Sequence, residues 1–270
     1  MGWYGLGMKY ESGDFRFRPT VAGPGDQAGI VEFAEKVLGW KLEDKQRELL
    51  AGPRRRVILN CTRQWGKSWM AAVTLLHHAL GTPGSLSVVA GPTLRQSAEL
   101  LRKVLELARR LGLDARGDGI NRHSIVLPNG SRVVATPGNS PDGIRGFSGV
   151  TMLVVDEAAM VRDDLYVAVR PMLTQTDGSI WLLSTPKEEE GFFFREFTAG
   201  AEDWRRVVVR ATECPRFKED QLEAERSSMG ERLFAREFLC EFVSANDGLF
   251  DAEWFEGALC EDVKPLGVDS

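Results

Sequence analysis

The stretch between Arg56 and Ser68 constrains the fold of this chain most, because an apolar run breaks there into a loop that ends in Gly-Lys-Ser. The run reads as a short strand, and the mostly apolar residues after Ser68 predict a helix that Gly81 ends. Strand, loop and helix in this order form the context that a phosphate-binding loop needs. The sequence therefore predicts a phosphate site at the end of a buried strand.

The residue types in this loop suit the binding of a nucleotide phosphate. The first turn of a helix leaves backbone N–H donors free for an anion, and Gly66 lets the backbone approach it without a Cβ. Lys67 would place its charge on the β- and γ-phosphates, and the Ser68 hydroxyl would be a ligand of Mg²⁺. Cys61 departs from the usual pattern, which has glycine at this position. The predicted nucleotide-binding residues of the loop are Cys61, Thr62, Arg63, Gln64, Trp65, Gly66, Lys67 and Ser68.

Two acids follow the apolar run at residues 152–155, and this pattern is typical of a catalytic strand end. Carboxylates are costly to bury, so such a pair favours metal or proton chemistry over a simple polar turn. Asp156 would hold Mg²⁺, directly or through water, and Glu157 would be the base that orients the water attacking the γ-phosphate. Another buried strand ends in Ser184-Thr185, whose hydroxyls would sense that phosphate, with a plain turn as the structural alternative.

The remaining pattern alternates short apolar runs with helical segments, which favours a mostly parallel sheet flanked by helices. Two helices are predicted before the loop, at residues 27–38 and 42–50, and Gln46 lies in the second. An Asn129-Gly130 turn between two alternating runs predicts a hairpin inserted at the sheet edge. Further strands are predicted at 86–90 and 207–209, and further helices at 96–111 and 218–242.

Composition and charge place the chain among ordinary globular proteins. Of its 270 residues, 43% are hydrophobic and 27% are charged, which suffices for a large core. It shows no long apolar run and no signal-peptide pattern, so a cytoplasmic protein is expected. The net charge of −5 means that any contact with nucleic acid must be local, and basic clusters such as Arg205-Arg206 are interpreted as solvated surface. The four cysteines form no CxxC pair and are expected to be reduced, and we assign no structural metal.

Five segments, in this order and spacing, carry a resemblance to a known family: the loop at 61–68, Ile144-Arg145-Gly146, the strand ending in Asp156-Glu157-Ala158-Ala159, Leu183-Ser184-Thr185-Pro186, and Arg236-Glu237-Phe238-Leu239-Cys240-Glu241-Phe242. They resemble the ATPase domain of the large terminase subunit, the motor that packages DNA into tailed-phage heads. The resemblance covers about residues 40–250. It implies an α/β fold of the RecA-like P-loop NTPase type, in the ASCE branch whose second acid is Glu157 here, with ATP and Mg²⁺ as cofactors.

The resemblance further implies roles and partners. Gln46 would contact the adenine base, and Ser184 and Thr185 would form the coupling motif that links hydrolysis to movement. The family works as a ring on double-stranded DNA, which implies a homo-oligomer, a portal protein and a small terminase subunit as partners. The cytoplasm of the infected host cell is the implied location, and no membrane contact is expected.

An arginine that reaches a neighbour's nucleotide is also implied by the resemblance. Arg145 is the first candidate for this trans-acting finger, because it lies on a loop between glycines. Arg63, inside the phosphate loop, is the alternative as a cis-acting residue, and Arg95 is a third candidate. Where measured in GTPases, such a guanidinium accelerates hydrolysis by roughly 10³- to 10⁵-fold. The predicted catalytic residues are therefore Glu157, Arg145, Lys67 and Arg63.

The predicted domain organisation has three parts. Residues 1–28, rich in Gly, Pro and charge, are expected to form an N-terminal arm, followed by a P-loop ATPase domain at 29–245. Large terminases continue into a nuclease domain, so 246–270 is predicted to be a linker towards a C-terminal nuclease that this sequence lacks. The predicted function is ATP-driven packaging of double-stranded DNA into a viral procapsid. Two alternatives stay open, a helicase-like DNA translocase and a nucleotide-gated ring-assembly module with little turnover.

Overall fold

The computed structural model describes residues 9–11, 14–16, 27–117, 123–138 and 144–244. Its strands are β1 (Lys9–Glu11), β2 (Asp14–Arg16), β3 (Arg56–Cys61), β4 (Leu86–Gly91), β5 (Ser124–Val126), β6 (Arg132–Pro137), β7 (Val150–Asp156), β8 (Ser179–Ser184) and β9 (Arg205–Val209). Its helices are α1 (Gln27–Glu32), α2 (Asp44–Ala51), α3 (Lys67–Gly81), α4 (Leu94–Arg110), α5 (Asp163–Thr174), α6 (Gly191–Thr198), α7 (Glu219–Met229) and α8 (Glu231–Phe238). None of the helices in these ranges is long and apolar enough to cross a membrane.

Strands β3 to β9 form one sheet in the order β5-β6-β4-β7-β8-β3-β9. All neighbours run parallel except β5, which pairs antiparallel with β6. Strand β8 lies between β3 and β7, with Leu183 beside Leu59 on one side and beside Asp156 on the other. The strands β1 and β2 pair antiparallel with each other, within the predicted arm at 1–28. Most of that arm, like the predicted linker at 246–270, lies outside the described residues.

The central strands are buried on both faces, which explains their continuous apolar runs. Along β3 the side chains alternate between two hydrophobic clusters: Leu59 packs with residues of α1, α3 and α4, whereas Ile58 packs with residues of α5 and α6. Helix α3 buries nine of its fifteen residues, as its apolar sequence predicts. This burial fixes the start of α3, and with it the phosphate loop, relative to the sheet.

The structure confirms the predicted α/β class and the predicted strands, with local differences. The hairpin forms at the sheet edge, but β6 is also a parallel neighbour of β4, so only β5 is added to the parallel sheet. The helix predicted at 27–38 changes to π-helical geometry over Phe33–Val37. The segment predicted at 218–242 forms two helices that meet at Gly230, whose φ of +80° suits glycine. The sequence pattern does not predict α5, which contains Pro171, or the short aromatic α6.

Arg205 and Arg206, at the amino end of β9, cap the carboxyl ends of two helices. Arg205 donates to the main-chain carbonyls of Leu49 and Glu48, in the last turn of α2, at 2.7 Å each. Arg206 donates to the carbonyl of Phe197 at 2.6 Å and to four other carbonyls between the last turn of α6 and the start of β9. Carbonyls at the carboxyl end of a helix lack partners within it, and a cation there also complements the helix dipole. The interpretation of this pair as solvated surface is therefore wrong.

Candidate active site

The phosphate loop leaves β3 at Cys61 and turns into α3 at Lys67. Two of its residues have left-handed backbone conformations, Gln64 with a φ of +60° and Gly66 with a φ of +102°. Glycine adopts this conformation without strain, whereas residues with a Cβ rarely do. A Cβ on Gly66 would also lie only 3.3 Å from Gln46 Nε2. Backbone and packing therefore both favour glycine at this position.

Side chains from two distant segments hold main-chain carbonyls of the loop. Gln46 on α2 donates from Nε2 to the carbonyl of Trp65 at 3.1 Å, and its Oε1 accepts from Glu43 N at 3.2 Å. Arg216, which follows β9, donates to the carbonyl of Gln64 at 2.9 Å and to the Glu43 carboxylate at 3.0 Å. These contacts form one network that fixes the left-handed turn of the loop.

Predicted site residues at the start of α3 and at the end of β7 meet at the carboxyl end of the sheet. Lys67 Nζ donates to Glu157 Oε1 at 2.7 Å and lies 3.9 Å from Asp156 Oδ1. Ser68 Oγ donates to Asp156 Oδ2 at 3.3 Å. The structure thus brings together two pairs of predicted site residues, and the members of one pair are 88 to 90 positions from those of the other.

The backbone at Glu157 is unusual for a residue with a Cβ. Its φ of +52° and ψ of +45° are left-handed, a conformation that costs on the order of 1–3 kcal/mol. Its N–H donates to Asp156 Oδ1 at 3.1 Å, and Ala159 N, in the turn that follows, donates to Ser184 Oγ at 3.2 Å. Neighbouring strands therefore fix this turn, which places the Glu157 carboxylate in the wall of a cavity.

Burial and mutual attraction set the charge of these groups. Burial lowers the pKa of the Lys67 ammonium, but attraction by Asp156 and Glu157 outweighs it, so the pKa lies above its usual value. Burial raises the pKa of Asp156, and the nearby Lys67 opposes that shift. Burial also raises the pKa of the Cys61 thiol to about 12, so this thiol stays neutral near pH 7.

A cavity of about 590 Å³ lies over the phosphate loop. This volume is typical of small-molecule sites, which span roughly 300–1,000 Å³. Half of its lining consists of predicted site residues: Thr62, Arg63, Gln64, Gly66, Lys67, Ser68, Glu157 and Thr185. The other half has no predicted role: Trp69, Gln96, Lys103, Met160, Pro186, Lys187, Arg236 and Glu237. The sequence signal for the last four is their position in or beside a segment that carries the family resemblance.

Comparison with known proteins identifies the family of the chain. The profile of the family described as "Terminase large subunit, T4likevirus-type, N-terminal" matches residues 58–257. The chain belongs to this large terminase family. The large terminase subunit of Thermus phage G20c is 28% identical over 177 residues, a match that covers 58% of the chain and 36% of that protein. The subunit of Thermus virus P23-45 is 26% identical with the same coverage. The chain thus spans little more than a third of the length of these relatives.

Solved terminase structures share the fold. The large terminase ATPase domain of Thermus phage P74-26 is 22% identical and has a TM-score of 0.70, covering 77% of this chain and 97% of that domain. The large terminase of another thermophilic bacteriophage, in complex with ADP, is 13% identical with a TM-score of 0.65, covering 75% of this chain and 54% of that one. These likenesses confirm the predicted RecA-like P-loop fold.

Several predicted site residues of this terminase chain do not line the main cavity. Cys61 and Trp65 are fully buried in the core, so only their backbone can contact a nucleotide. Arg145 follows the buried Ile144 on an exposed turn, and Arg95 is exposed near the start of α4. Neither arginine is among the described residues that line the cavity.

Gln46 of this terminase chain lines a second cavity, of about 270 Å³, which shares Gly66 and Trp69 with the first. The rings of Trp40 and Trp69 meet edge to face there, with their centroids 5.6 Å apart. The lining residues are Trp40, Gln46, Gly66, Trp69, Met70, Arg110 and Arg216. Aromatic rings with a few polar groups suit a flat, partly polar ligand.

Proposed function

We propose that this chain is the ATP-hydrolysing motor domain of a ring that packages double-stranded DNA into a viral procapsid. One observation carries the proposal: in a chain of the large terminase family, Lys67 and Ser68 of a phosphate loop meet Asp156 and Glu157. They meet at the carboxyl end of a parallel sheet, where ligands of open α/β folds bind. The thermophilic-phage terminase that is known with ADP is also known with ATP-γ-S, and because it shares the fold, this supports a nucleotide ligand.

ATP would bind with its phosphates at the start of α3 and its base beside α2. The N–H donors of the first turn of α3 and the Lys67 ammonium would hold the β- and γ-phosphates. The base would enter the second cavity, against the Trp69 ring and Gln46. One N–H of the Gln46 amide already bonds the Trp65 carbonyl, so the adenine contact would use the other.

The surroundings of Ser68 fit a magnesium ion. Mg²⁺ prefers oxygen ligands and is usually bound by one or two carboxylates together with substrate phosphates. Ser68 Oγ and Asp156 Oδ2 lie 3.3 Å apart, and the described residues contain no cluster of three or more metal-binding side chains. This donor set suits a site shared with the nucleotide better than a cage of protein ligands. When bound, the ion would neutralise charge on the β- and γ-phosphate oxygens.

Glu157 is the proposed general base. Its carboxylate would accept a proton from the water that attacks the γ-phosphorus, while the bond to the β,γ-bridging oxygen breaks and ADP leaves. In the structure, Lys67 donates to Glu157 Oε1 at 2.7 Å. Phosphate binding would draw the Lys67 ammonium towards the nucleotide, which would leave the Glu157 carboxylate to the water.

Arg145 of a neighbouring subunit is the proposed finger, with Arg63 as the cis alternative and Arg95 as a third candidate. The exposure of Arg145, outside the lining of its own cavity, supports delivery to another subunit. Arg63 lines the cavity at its rim, with its side chain 71% exposed. A ring in which each subunit completes its neighbour's site would make hydrolysis sequential.

Ser184 and Thr185 are proposed to couple hydrolysis to movement. Thr185 lines the cavity, whereas Ser184 is buried and accepts from Ala159 N, two residues after Glu157. A change at the γ-phosphate would therefore reach β8 through these contacts.

The remaining parts of the proposal are a motor domain at 29–245, portal protein and small terminase as partners, and action in the cytoplasm of the infected host cell. Family membership favours this function over a helicase-like translocase, and the carboxylate of Glu157 favours it over an assembly module.

An ATPase assay of the wild type against Glu157→Ala tests this proposal. We expect DNA- or assembly-stimulated turnover in the wild type and a loss of about 10²- to 10⁴-fold in the variant, with nucleotide binding retained, because only proton transfer is removed. Binding without turnover in the wild type, in every assembled state, would refute the motor and favour the assembly module.

Mixing two inactive variants tests the trans finger. If Arg145 acts on a neighbour, a mixture of Arg145→Ala and Glu157→Ala subunits contains interfaces with both groups intact and recovers part of the turnover. A mixture without rescue would exclude Arg145 in trans and favour Arg63 in cis.

A further inference from the structure

Glu237, at the end of α8, pairs with two arginines at once. Its Oε1 accepts from Arg236 Nε at 3.0 Å and from Nη2 at 2.9 Å, while its Oε2 forms an ion pair with Arg63 Nε of the phosphate loop. The main-chain carbonyl of Glu237 also accepts from Thr62 Oγ1 at 3.1 Å. The end of α8 is thus attached to the phosphate loop through both the backbone and the side chain of one residue.

Both arginines line the cavity that holds Lys67 and Glu157. Five of its lining residues are lysine or arginine, and two are glutamate: Arg63, Lys67, Lys103, Lys187 and Arg236 against Glu157 and Glu237. The positive excess suits a polyanion such as a triphosphate. This excess is also larger than the single positive charge that the lysine of the phosphate loop would supply.

Arg236 is better placed than Arg63 for a strong contact. Its side chain is 25% exposed, against 71% for Arg63, so its charge is less screened by water. The contact with Glu237 uses two of the five N–H groups of the guanidinium, and the planar fork matches phosphate oxygens. A largely buried guanidinium that a carboxylate orients is pre-organised for such a ligand.

We propose that Arg236 contacts the γ-phosphate of the nucleotide in cis, and that Glu237 is the positioning residue that orients it. This inference rests on the proposed ATP binding and adds to it a second cation from the same chain, carried by α8. The phosphate would then be held between α3 and α8. The role is independent of the finger that a neighbouring subunit supplies.

Nucleotide affinities of the full chain test the proposal. The readout is the ratio of the Kd for ADP to the Kd for ATP-γ-S, which isolates contacts to the γ-phosphate. We expect Arg236→Ala to weaken ATP-γ-S about 10- to 100-fold and ADP little, because one charge-assisted contact is lost. Arg236→Lys keeps the charge without the fork and gives an intermediate loss, and Glu237→Gln lowers ATP-γ-S affinity about fivefold through poorer positioning.

Arg232→Ala is the matched control. Arg232 lies one turn earlier on α8 and donates to the carbonyl of Ser244 at 2.9 Å, and it is not among the described residues that line the cavity. It should leave both affinities unchanged. Thermal unfolding of each variant measures folding separately, and if Arg236→Ala fails to fold, the ratio for Arg236→Lys decides.

Two results would overturn the proposal. One is an unchanged ratio in every folded Arg236 variant, and the other is an equal loss of ADP and ATP-γ-S affinity with a lower Tm, which would make the Arg236–Glu237 pair purely structural. Failure of the broader proposal looks different, because then the wild type binds neither nucleotide, or Lys67→Ala binds both as well as the wild type does.

Discussion

The two ends of the central sheet use the same kinds of charged residue in different ways. At the carboxyl end, Lys67 contacts Glu157 beside a cavity of about 590 Å³, and the backbone is left-handed at Glu157 and at Gln64. At the amino end, Arg205 and Arg206 donate to main-chain carbonyls at the carboxyl ends of helices. Opposite charges face a cavity at one end, whereas at the other end charges complete the backbone hydrogen bonding.

This difference shows how a site can be told from a structural cluster. A guanidinium that caps a helix stabilises the folded state, and its donors are already used. At the carboxyl end, one ammonium contacts two acids, and one of these acids has a strained backbone. Such a conformation persists only because the surrounding structure fixes it. The convergence of opposite charges on a cavity therefore distinguishes the candidate site from a structural cluster, and local charge density does not.

The largest effect is expected at the carboxyl end, from Lys67→Met. It removes the cation that would bind the β- and γ-phosphates, and kcat/KM for ATP should fall at least about 10²- to 10³-fold. Steady-state kinetics check this. Lys45→Met is the matched control, because Lys45 on α2 pairs with Glu213 and Glu48 at 3.4 and 3.6 Å outside the cavity lining. Equal loss in both variants would contradict the assignment of the carboxyl end.

At the amino end, Arg206→Ala should cost stability instead of activity. The substitution leaves five carbonyls between the last turn of α6 and the start of β9 without their charged donor. We expect the free energy of unfolding to fall by about 2–3 kcal/mol. Urea unfolding measures the loss, and Arg210→Ala, at the other end of β9, should change little. If instead the folded variant bound ATP more weakly, the separation of the two ends would be wrong.

A smaller, pH-dependent effect is expected from His78, in the last turn of α3. Burial, with a contribution from Arg54, lowers the pKa of this imidazole to about 4, and its Nε2 lies 2.9 Å from Thr151 Oγ1. Below pH 6.5 the unfolded chain takes up a proton that the folded chain refuses, so stability is lost as the pH falls from about 6.5 towards 4. From pH 7 to pH 5 this amounts to about 2 kcal/mol.

Denaturant titrations at several pH values measure the His78 effect. The variant His78→Gln carries no titrating imidazole and should show a flatter profile over this interval. Parallel profiles for the two proteins would show that His78 is protonated in the folded state as readily as in the unfolded state.

The smallest effect is expected from Arg55→Ala, also at the amino end. Arg55 forms an ion pair with Asp177, and both side chains are more than half exposed. Exposed pairs contribute roughly 0–1 kcal/mol, so unfolding and ATP turnover should both stay close to the wild type. A stability loss as large as that of Arg206→Ala would mean that the difference in burial does not explain how much each of these two arginines contributes to stability.

Much of the scaffold could be predicted because its signals are local. The runs that become β3, β7 and β8 are apolar and end in recognisable residues, and α3 follows directly from the loop. Asp156 and Glu157 stand out for the same reason. The family segments add order and spacing, from which the relation of loop and acids could be expected.

The rest depends on contacts between distant segments. Lys103 and Arg236 reach the cavity because α4 and α8 pack beside the loop. Lys103 has no local pattern that reveals it, and the segment that contains Arg236 carries the family resemblance without indicating that this side chain lines the cavity. The hydrogen bond from Gln46 to the Trp65 carbonyl likewise joins α2 to the phosphate loop, and no sequence pattern predicts this contact. The left-handed backbone of Glu157 has no signal, because a glutamate occupies a conformation that usually selects glycine or asparagine.

The position of β8 between β3 and β7 also sets an order for synthesis. The ribosome releases the four site residues Lys67, Ser68, Asp156 and Glu157 before it makes Ser179–Ser184. This later strand, β8, nevertheless sets the distance between β3, which leads into the phosphate loop, and β7, which ends at Asp156. Pairings between segments that are far apart in the sequence are slow to form. A nascent chain that has reached Glu157 therefore holds these four groups without the geometry of the candidate site, and the site should form only after β8 has been translated and inserted.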